Sequence, residues 1–135
     1  MNIKYDVILQ KLREGDSNPF ERSGICTATE EVGEPVYIAN NGNFLSASAN
    51  SISTCKVIGI ILSKPTVTTC IIRTGGIISG FTGLSVGQPY FLDVTQGYIS
   101  EYPPTESGSV IVNVGLAISG TEFLIRLDSN YTIRS

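Results

Sequence analysis

Three cysteines are the side chains of this sequence with the greatest potential for chemistry. Cys26, Cys55 and Cys70 stand at spacings that do not match a metal-binding motif. Histidine is absent, which removes the commonest general base and excludes Ser-His-Asp and Cys-His arrangements. Lys56, beside Cys55, is the one adjacent group that could activate a thiol, and a single lysine is weak support. We therefore predict buried free thiols, with a disulfide or a metal site as the alternative.

An acidic cluster, Glu30-Glu31-x-x-Glu34, is the second candidate for chemistry. It could form half of a carboxylate pair or a cation site, but a cation site needs several converging oxygen ligands. The matching stretch in the second half of the chain, residues 84–88 (LSVGQ), carries no charge. We therefore predict a solvated turn, and no catalytic, cofactor-binding or metal-binding residues. An enzyme, such as a small hydrolase or lyase, is the least favoured class of function.

Composition limits the partners that this chain can have. Of its 135 residues, 41% are hydrophobic and 16% are charged, with a net charge of −3. The lack of a basic cluster argues against a nucleic-acid partner. The longest apolar run, residues 57–62, is far shorter than the ~20 residues of a membrane span, and the first residues lack the apolar core of a signal peptide. We expect a cytoplasmic product without a membrane partner, whose apolar surface is partly covered in a homo-oligomer.

The elements that position these residues are repeated along the chain. Residues 32–38 (VGEPVYI) return as 86–92 (VGQPYFL), and 58–63 (IGIILS) return as 114–119 (VGLAIS). The shorter pair 71–73 (IIR) and 124–126 (LIR) keeps the same order. A repeat of about 55 residues is a supersecondary unit. Since the shared residues are glycine, proline, β-branched and aromatic types, the repeated residues are ones that build the fold rather than ones that carry out a reaction.

The shared glycines and prolines predict particular backbone features. The turn glycine can adopt angles that are closed to other residues, and the proline two positions later suits the start or the edge of a strand. The mid-strand glycine indicates a bulge or a close backbone approach. These structural turn residues are Gly33, Pro35 and Gly59 in the first copy, and Gly87, Pro89 and Gly115 in the second.

Residues 1–22 differ from the rest of the chain and are predicted to be an N-terminal amphipathic attachment segment. Four apolar residues fall at the spacing of one helical face; they are Tyr5, Ile8, Leu9 and Leu12. A strand is the alternative, because residues 3, 5 and 7 also alternate with charged residues. A helix this short is marginal alone, so its apolar stripe must dock, either on the body of its own domain or on a partner.

From residue 24 onward the pattern predicts β-structure. Short segments rich in Val, Ile, Thr, Tyr and Phe are separated by Gly and Pro. Hairpin turns are expected at 40–42 (NNG) and 95–97 (TQG), and solvated loops at 46–54 and 102–109. The predicted strands are 24–30, 35–39, 43–47, 55–63, 66–74, 76–82, 88–93, 97–101, 110–119 and 121–128, with a short one near 130–134.

The fold class that follows is all-β, with two pseudo-repeated β-units forming a barrel or sandwich after a short N-terminal helix or arm. The domains are residues 1–22 and 23–135. Within the second, repeat one covers about 24–75 and repeat two about 76–128. Long unpaired strand edges are hazardous, and this again favours a homo-oligomer.

Two stretches carry a resemblance to a known class of protein. Residues 83–93 (GLSVGQPYFLD), with the Pro/Thr loop after 102 and VGLAIS at 114–119, resemble a β-rich module of tailed-bacteriophage virion proteins. The first copy, from 32–38 to 58–63, is similar to the repeat of small capsid decoration, or cement, proteins. Together the resemblance covers about residues 24–128.

The resemblance implies a structural role and no catalytic residues. The expected function is a phage virion protein that decorates or anchors to the capsid, stabilising it or carrying a fibre. The expected partner is the major capsid protein or another virion protein, contacted through Tyr5, Ile8, Leu9 and Leu12, and the expected assembly is a homotrimer. The chain would be made in the host cytoplasm and reside in the virion. The alternative is a receptor- or glycan-binding module of a phage fibre, collar or tail, with loops 46–54 and 102–109 as contact sites.

Overall fold

The computed structural model describes residues 19–127 and 132–134. Glu21 and Arg22, the last two residues of the predicted attachment segment, belong to the first strand rather than to an arm. The predicted N-terminal helix lies outside the described residues. So does its apolar stripe, which consists of Tyr5, Ile8, Leu9 and Leu12.

The described residues form twelve β-strands and no helix, so the predicted all-β class is confirmed. The first half of the chain contains β1 (Glu21–Ile25), β2 (Pro35–Ile38), β3 (Phe44–Ser46), β4 (Gly59–Thr66) and β5 (Thr69–Arg73). The second half contains β6 (Gly76–Ser79), β7 (Pro89–Leu92), β8 (Ile99–Ser100), β9 (Val110–Ile111), β10 (Asn113–Ala117), β11 (Glu122–Ile125) and β12 (Thr132–Ile133).

Each half of the chain builds one five-stranded antiparallel sheet. The first sheet has the strand order β1-β5-β4-β2-β3 and the second has the order β6-β11-β10-β7-β8, so matching strands take matching places. β9 and β12 form a separate two-stranded sheet. Within the described residues no sheet closes into a hydrogen-bonded ring, and the barrel or sandwich therefore stays a prediction.

Three predicted strands differ from those in the structure. The strand predicted at 110–119 is divided into β9 and β10, which belong to different sheets. The strand predicted at 24–30 is Glu21–Ile25, because a turn starts at Thr27, whose backbone N–H donates to the Glu30 carboxylate at 2.7 Å. The strand predicted at 55–63 is Gly59–Thr66. It starts late because the Val57 N–H bonds to the Cys55 carbonyl at 2.9 Å in a local turn.

The first sheet is strongly curled. Its edge strands, β1 and β3, would lie about 19 Å apart if the sheet were flat, at ~4.8 Å per strand. Yet the Phe44 ring on β3 contacts Gly24 on β1 so closely that a Cβ at Gly24 would overlap the ring. The core enclosed by this curl consists of Cys26, Val36, Phe44, Ile61, Cys70 and Ile72.

A second and larger core joins the two halves of the chain. It contains Ile60 from the first sheet together with Leu92, Val114 and Phe123 from the second, each with no exposed surface. The Phe123 ring lies edge-on to Tyr90, with ring centroids 5.8 Å apart. Because the second sheet shares its interior with residues from the first half, the two sheets pack as parts of one hydrophobic unit.

The prediction that loop 46–54 is solvated is wrong for its first part. Ala47 and Ala49 have no exposed surface, and their backbone pairs with the second half of the chain. The Gly97 N–H donates to the Ala47 carbonyl, the Ala49 N–H donates to Asp93, and the Val110 N–H donates to Ala49, each at 2.8 Å. Small side chains fit this junction because the backbones must come within hydrogen-bonding distance in a packed interior.

The two glycines predicted to be mid-strand lie where two backbones meet closely, Gly59 at the start of β4 and Gly115 in the middle of β10. A Cβ at Gly59 would stand 2.6 Å from the Arg73 carbonyl oxygen. A Cβ at Gly115 would overlap the Leu124 carbonyl on the neighbouring strand, and it would also crowd the Phe123 ring. At both positions, therefore, the sheet requires a residue without a side chain.

Replacing Gly115 with alanine is expected to destabilise the fold by about 1–3 kcal/mol, because the added methyl overpacks a site bounded by rigid backbone. Urea denaturation monitored by circular dichroism measures this change. Gly120→Ala is the matched control: no atom lies within 4 Å of its added methyl, and its effect should be within about 0.5 kcal/mol. Equal effects at the two positions would contradict the close approach.

Candidate functional site

The Val-Gly-x-Pro turns have the same geometry in both halves of the chain. Gly33 has φ +92° and Gly87 has φ +82°. The backbone N–H of Gly33 donates to Ile61, and that of Gly87 donates to Ala117, each at 2.8 Å. In both turns the fourth residue bonds back to the first, and a positive φ at the third position is typical of a type II turn.

Each of these turns leads directly into a strand and also exposes one apolar side chain, which we call its tip. β2 begins at Pro35 and β7 begins at Pro89, each two residues after its turn glycine. The residue before that glycine points outward: Val32 is 60% exposed and Val86 is 64% exposed. The backbone of each turn is therefore used in hydrogen bonds that hold the fold together, whereas the valine side chain is exposed and can contact a partner.

The prediction of a solvated acidic turn is wrong for Glu30, which is only 2% exposed. Its carboxylate accepts hydrogen bonds from the Thr27 backbone N–H and hydroxyl, both at 2.7 Å, and from the Thr29 hydroxyl at 2.9 Å. The Lys64 ammonium donates to the carbonyls of Thr27 at 2.9 Å and of Glu30 at 2.6 Å. A buried carboxylate needs such partners, and this cluster shapes the turn after β1.

The hydrogen bonds around Glu30 also set its ionisation. Burial by itself raises the pKa of the carboxyl, but the hydrogen bonds from Thr27 and Thr29, with the Lys64 charge nearby, bring the pKa below its usual value. The charged form is therefore preferred in the folded state. This assigns Glu30 a stabilising role rather than that of a proton donor.

The thiols are free and buried, as predicted. Burial, followed by the neighbouring Cys26, raises the pKa of Cys70 to about 12. Burial also raises the pKa of Cys55. A thiol is nucleophilic as its thiolate, so these cysteines act as core residues.

A groove of about 540 Å³ lies where the two halves of the chain meet. From the first half of the chain it is lined by the turn at residues 31–34 and by Ile61 and Leu62. From the second half it is lined by the stretch 78–84, by Tyr90 and by hairpin residues 97–99. We refer to this feature as the junction groove.

One difference between the two sheets lies at the junction groove. Ile38 and Leu92 each stand three residues after the turn proline, and the residues paired with them are Phe44 and Ile99. Phe44 fills the curl of the first sheet, whereas the smaller Ile99 lines the junction groove.

Glu34 is the ordered polar group of the junction groove. Its Oε1 accepts a hydrogen bond from the Ser46 hydroxyl at 2.6 Å. Its carboxylate lies directly on Gly97, where a Cβ would come within 2.7 Å of it. No ion pair of the described residues includes Glu34, so its charge is left for the groove.

Sequence reasoning missed the junction groove, although it held one usable signal. Glu34 stands where the second copy has Gln88, and Phe44 stands where it has Ile99. Positions that differ between two copies of one scaffold are candidates for function. The spacing of these residues did not reveal that the turn of one copy would meet the hairpin of the other.

Among residues 19–127 and 132–134, no group of three or more His, Cys, Asp or Glu side chains could hold a metal ion. Over the same residues, no helix has the length and apolar character needed to cross a membrane.

Replacing Glu30 with glutamine is expected to lower stability at pH 7 by about 1–3 kcal/mol, because charge-assisted hydrogen bonds are lost from a buried site. Since the folded pKa lies below the unfolded value of about 4.3, the stabilisation is complete above that value and disappears as pH falls through the folded pKa. Urea titrations at pH 7 and pH 3 should therefore show a smaller difference between wild type and variant at pH 3. The exposed neighbour Glu31 provides the control, Glu31→Gln. An equal loss for Glu30→Gln at both pH values would exclude a charge effect.

Native protein is expected to react with 5,5′-dithiobis(2-nitrobenzoic acid) at pH 8 more than ~100-fold more slowly than a free thiol, because all three thiols are buried and the raised pKa values of Cys55 and Cys70 leave few thiolates. In denaturant, Cys26, Cys55 and Cys70 should all react at once. Absorbance at the thionitrobenzoate band gives both rates. Rapid modification of any thiol in the folded protein would show that the cysteines are accessible.

Comparison with known proteins found no match for this chain, either to a protein-family model or to a curated protein.

Proposed function

We propose that this chain is a structural protein of a tailed-bacteriophage virion, which decorates or anchors to the capsid and stabilises it or carries a fibre. The proposal is supported by the structural features that the two copies share. They share turns, strand order and close-approach glycines, and the buried polar groups of the first copy are used for folding. Such a body suits a mechanical role better than a catalytic one.

The proposed body is a β-sandwich in which two curled sheets face a shared interior. The larger core, with members from both halves, and the backbone pairing at residues 47–49 support this arrangement. A body that is fixed at the junction can transmit load between two contact regions without opening.

Attachment in this proposal is additive. Many copies would each contact the major capsid protein or another virion protein through the apolar stripe of the N-terminal segment, and binding to a repeating lattice multiplies weak contacts. The exposed tips at Val32 and Val86 offer two further apolar contacts of similar shape. We propose a homotrimer as the assembled unit, which light scattering coupled to gel filtration tests directly.

The alternative function is recognition of a receptor or glycan by a fibre, collar or tail. One observation favours it: Tyr102 is 72% exposed at the start of loop 102–109. The other proposed contact loop, 46–54, is unsuited in its first part because Ala47 and Ala49 are buried. Glycan-array binding that is lost in Tyr102→Ala would favour this alternative over decoration.

Removal of residues 1–18 leaves β1 intact and is expected to give a folded protein that no longer co-sediments with virions of the phage that encodes it. Circular dichroism measures folding, and pelleting with purified particles measures binding. A matched pair of full-length variants separates the apolar stripe from the charged residues. Leu9→Ser with Leu12→Ser should abolish pelleting, whereas Lys11→Gln with Arg13→Gln should retain at least half of it.

The outcomes of this assay distinguish the two parts of the proposal. If the truncated protein still pellets, the attachment role of the segment is wrong while decoration stands. If the full chain itself fails to pellet with virions, the decoration proposal is wrong.

A further inference from the structure

The junction groove combines an apolar surface with negative charge. Its lining includes Phe81, Leu84 and Tyr98, and Tyr98 is 60% exposed. Glu31 and Glu34 also line the groove. The residues that line the groove include no lysine or arginine, so their charged side chains are all carboxylates, which attract a cationic group.

The polar groups of the groove define what a ligand must supply. Carboxylates accept hydrogen bonds and cannot donate them. The Tyr90 hydroxyl already accepts a hydrogen bond from the Ser85 backbone N–H at 2.8 Å. Glu34 is held in place by the Ser46 hydroxyl through one carboxylate oxygen. A ligand must therefore bring donors and positive charge to Glu34, and apolar surface to the rings.

We propose that the junction groove binds a segment of a partner protein in which a lysine or arginine is flanked by apolar side chains. The cation would pair with Glu34 and lie near the face of Tyr98, where cation–π attraction adds to the ion pair. The flanking side chains would pack on Phe81 and Leu84. A cavity of about 540 Å³ is within the usual range of small binding sites.

This assignment explains why the two copies differ at two positions. Glu34 supplies the charge, and its equivalent Gln88 is neutral. Ile99 lines the groove, whereas the equivalent Phe44 packs in the core of the first sheet. The inference depends on the groove alone and goes beyond the proposed attachment to the capsid, so each can fail without the other.

Titration of the ¹⁵N-labelled full-length protein tests the proposal. The probe is the peptide acetyl-Ile-Lys-Leu-amide, and its matched control contains norleucine in place of lysine. The lysine peptide should shift the amide signals of Gly33, Gly83 and Gly97, with a dissociation constant on the order of millimolar. The norleucine peptide should bind at least about tenfold more weakly, as expected when a charged hydrogen bond is lost.

Three variants test whether the lysine peptide binds in the junction groove. Glu34→Gln keeps an oxygen that can accept from Ser46, and it should weaken the lysine peptide about tenfold. Ile99→Phe places the first copy's residue in the groove and should abolish binding. Glu106→Gln removes an exposed carboxylate outside the groove and should leave the affinity unchanged. If Ile99→Phe does not fold, Glu34→Gln and the norleucine peptide still decide the outcome.

Three results would overturn the proposal. The first is equal binding of the lysine and norleucine peptides, and the second is unchanged affinity in Glu34→Gln. The third is a groove that responds to N-acetylglucosamine and not to the peptide, which would assign it to a saccharide.

Discussion

The architecture depends on the backbone pairing of residues 47–49 with the second half of the chain. Hydrogen bonds of 2.8 Å join Ala47 to Gly97 and Ala49 to both Asp93 and Val110. The Ser48 hydroxyl donates to the Val94 carbonyl at 2.7 Å. Buried backbone groups need partners, and here the partners come from the other copy. Separating the halves would leave these groups unpaired and would expose the shared core.

The two copies use the same scaffold and fill it differently. In the first sheet Gly24 and Cys70 leave room for the Phe44 ring. In the second, where β6 pairs with β11, the Phe123 ring occupies the interior and is packed against Tyr90. The first curl is closed by the Phe44 ring from its edge strand β3, whereas the core of the second sheet contains the Phe123 ring from β11, and Ile99 lines the junction groove. The two copies therefore place their large and small residues differently on the same order of strands.

The polar residues of the first copy divide into two roles through their surroundings. Glu30 is buried, surrounded by donors and close to Lys64, so its charge is used within the fold. Glu34 is four positions later, has one hydroxyl partner and faces the groove. A carboxylate whose charge is balanced internally stabilises structure, and one that is left unbalanced in a concave surface can recognise a ligand.

The sequence by itself determined the all-β class, the positive-φ turns and the need for glycine at positions 59 and 115. These follow from local rules: backbone angles that only glycine adopts easily, and side-chain types that favour strands. Only the tertiary structure decided that 47–49 is buried, that Glu30 is enclosed, and that Glu34 and Ile99 share a groove. Each of these depends on contacts between residues far apart in the chain, such as Ala47 with Gly97 or Thr27 with Lys64. The sequence shows that such residues are small or polar, whereas the packing of the two sheets determines which residues they contact.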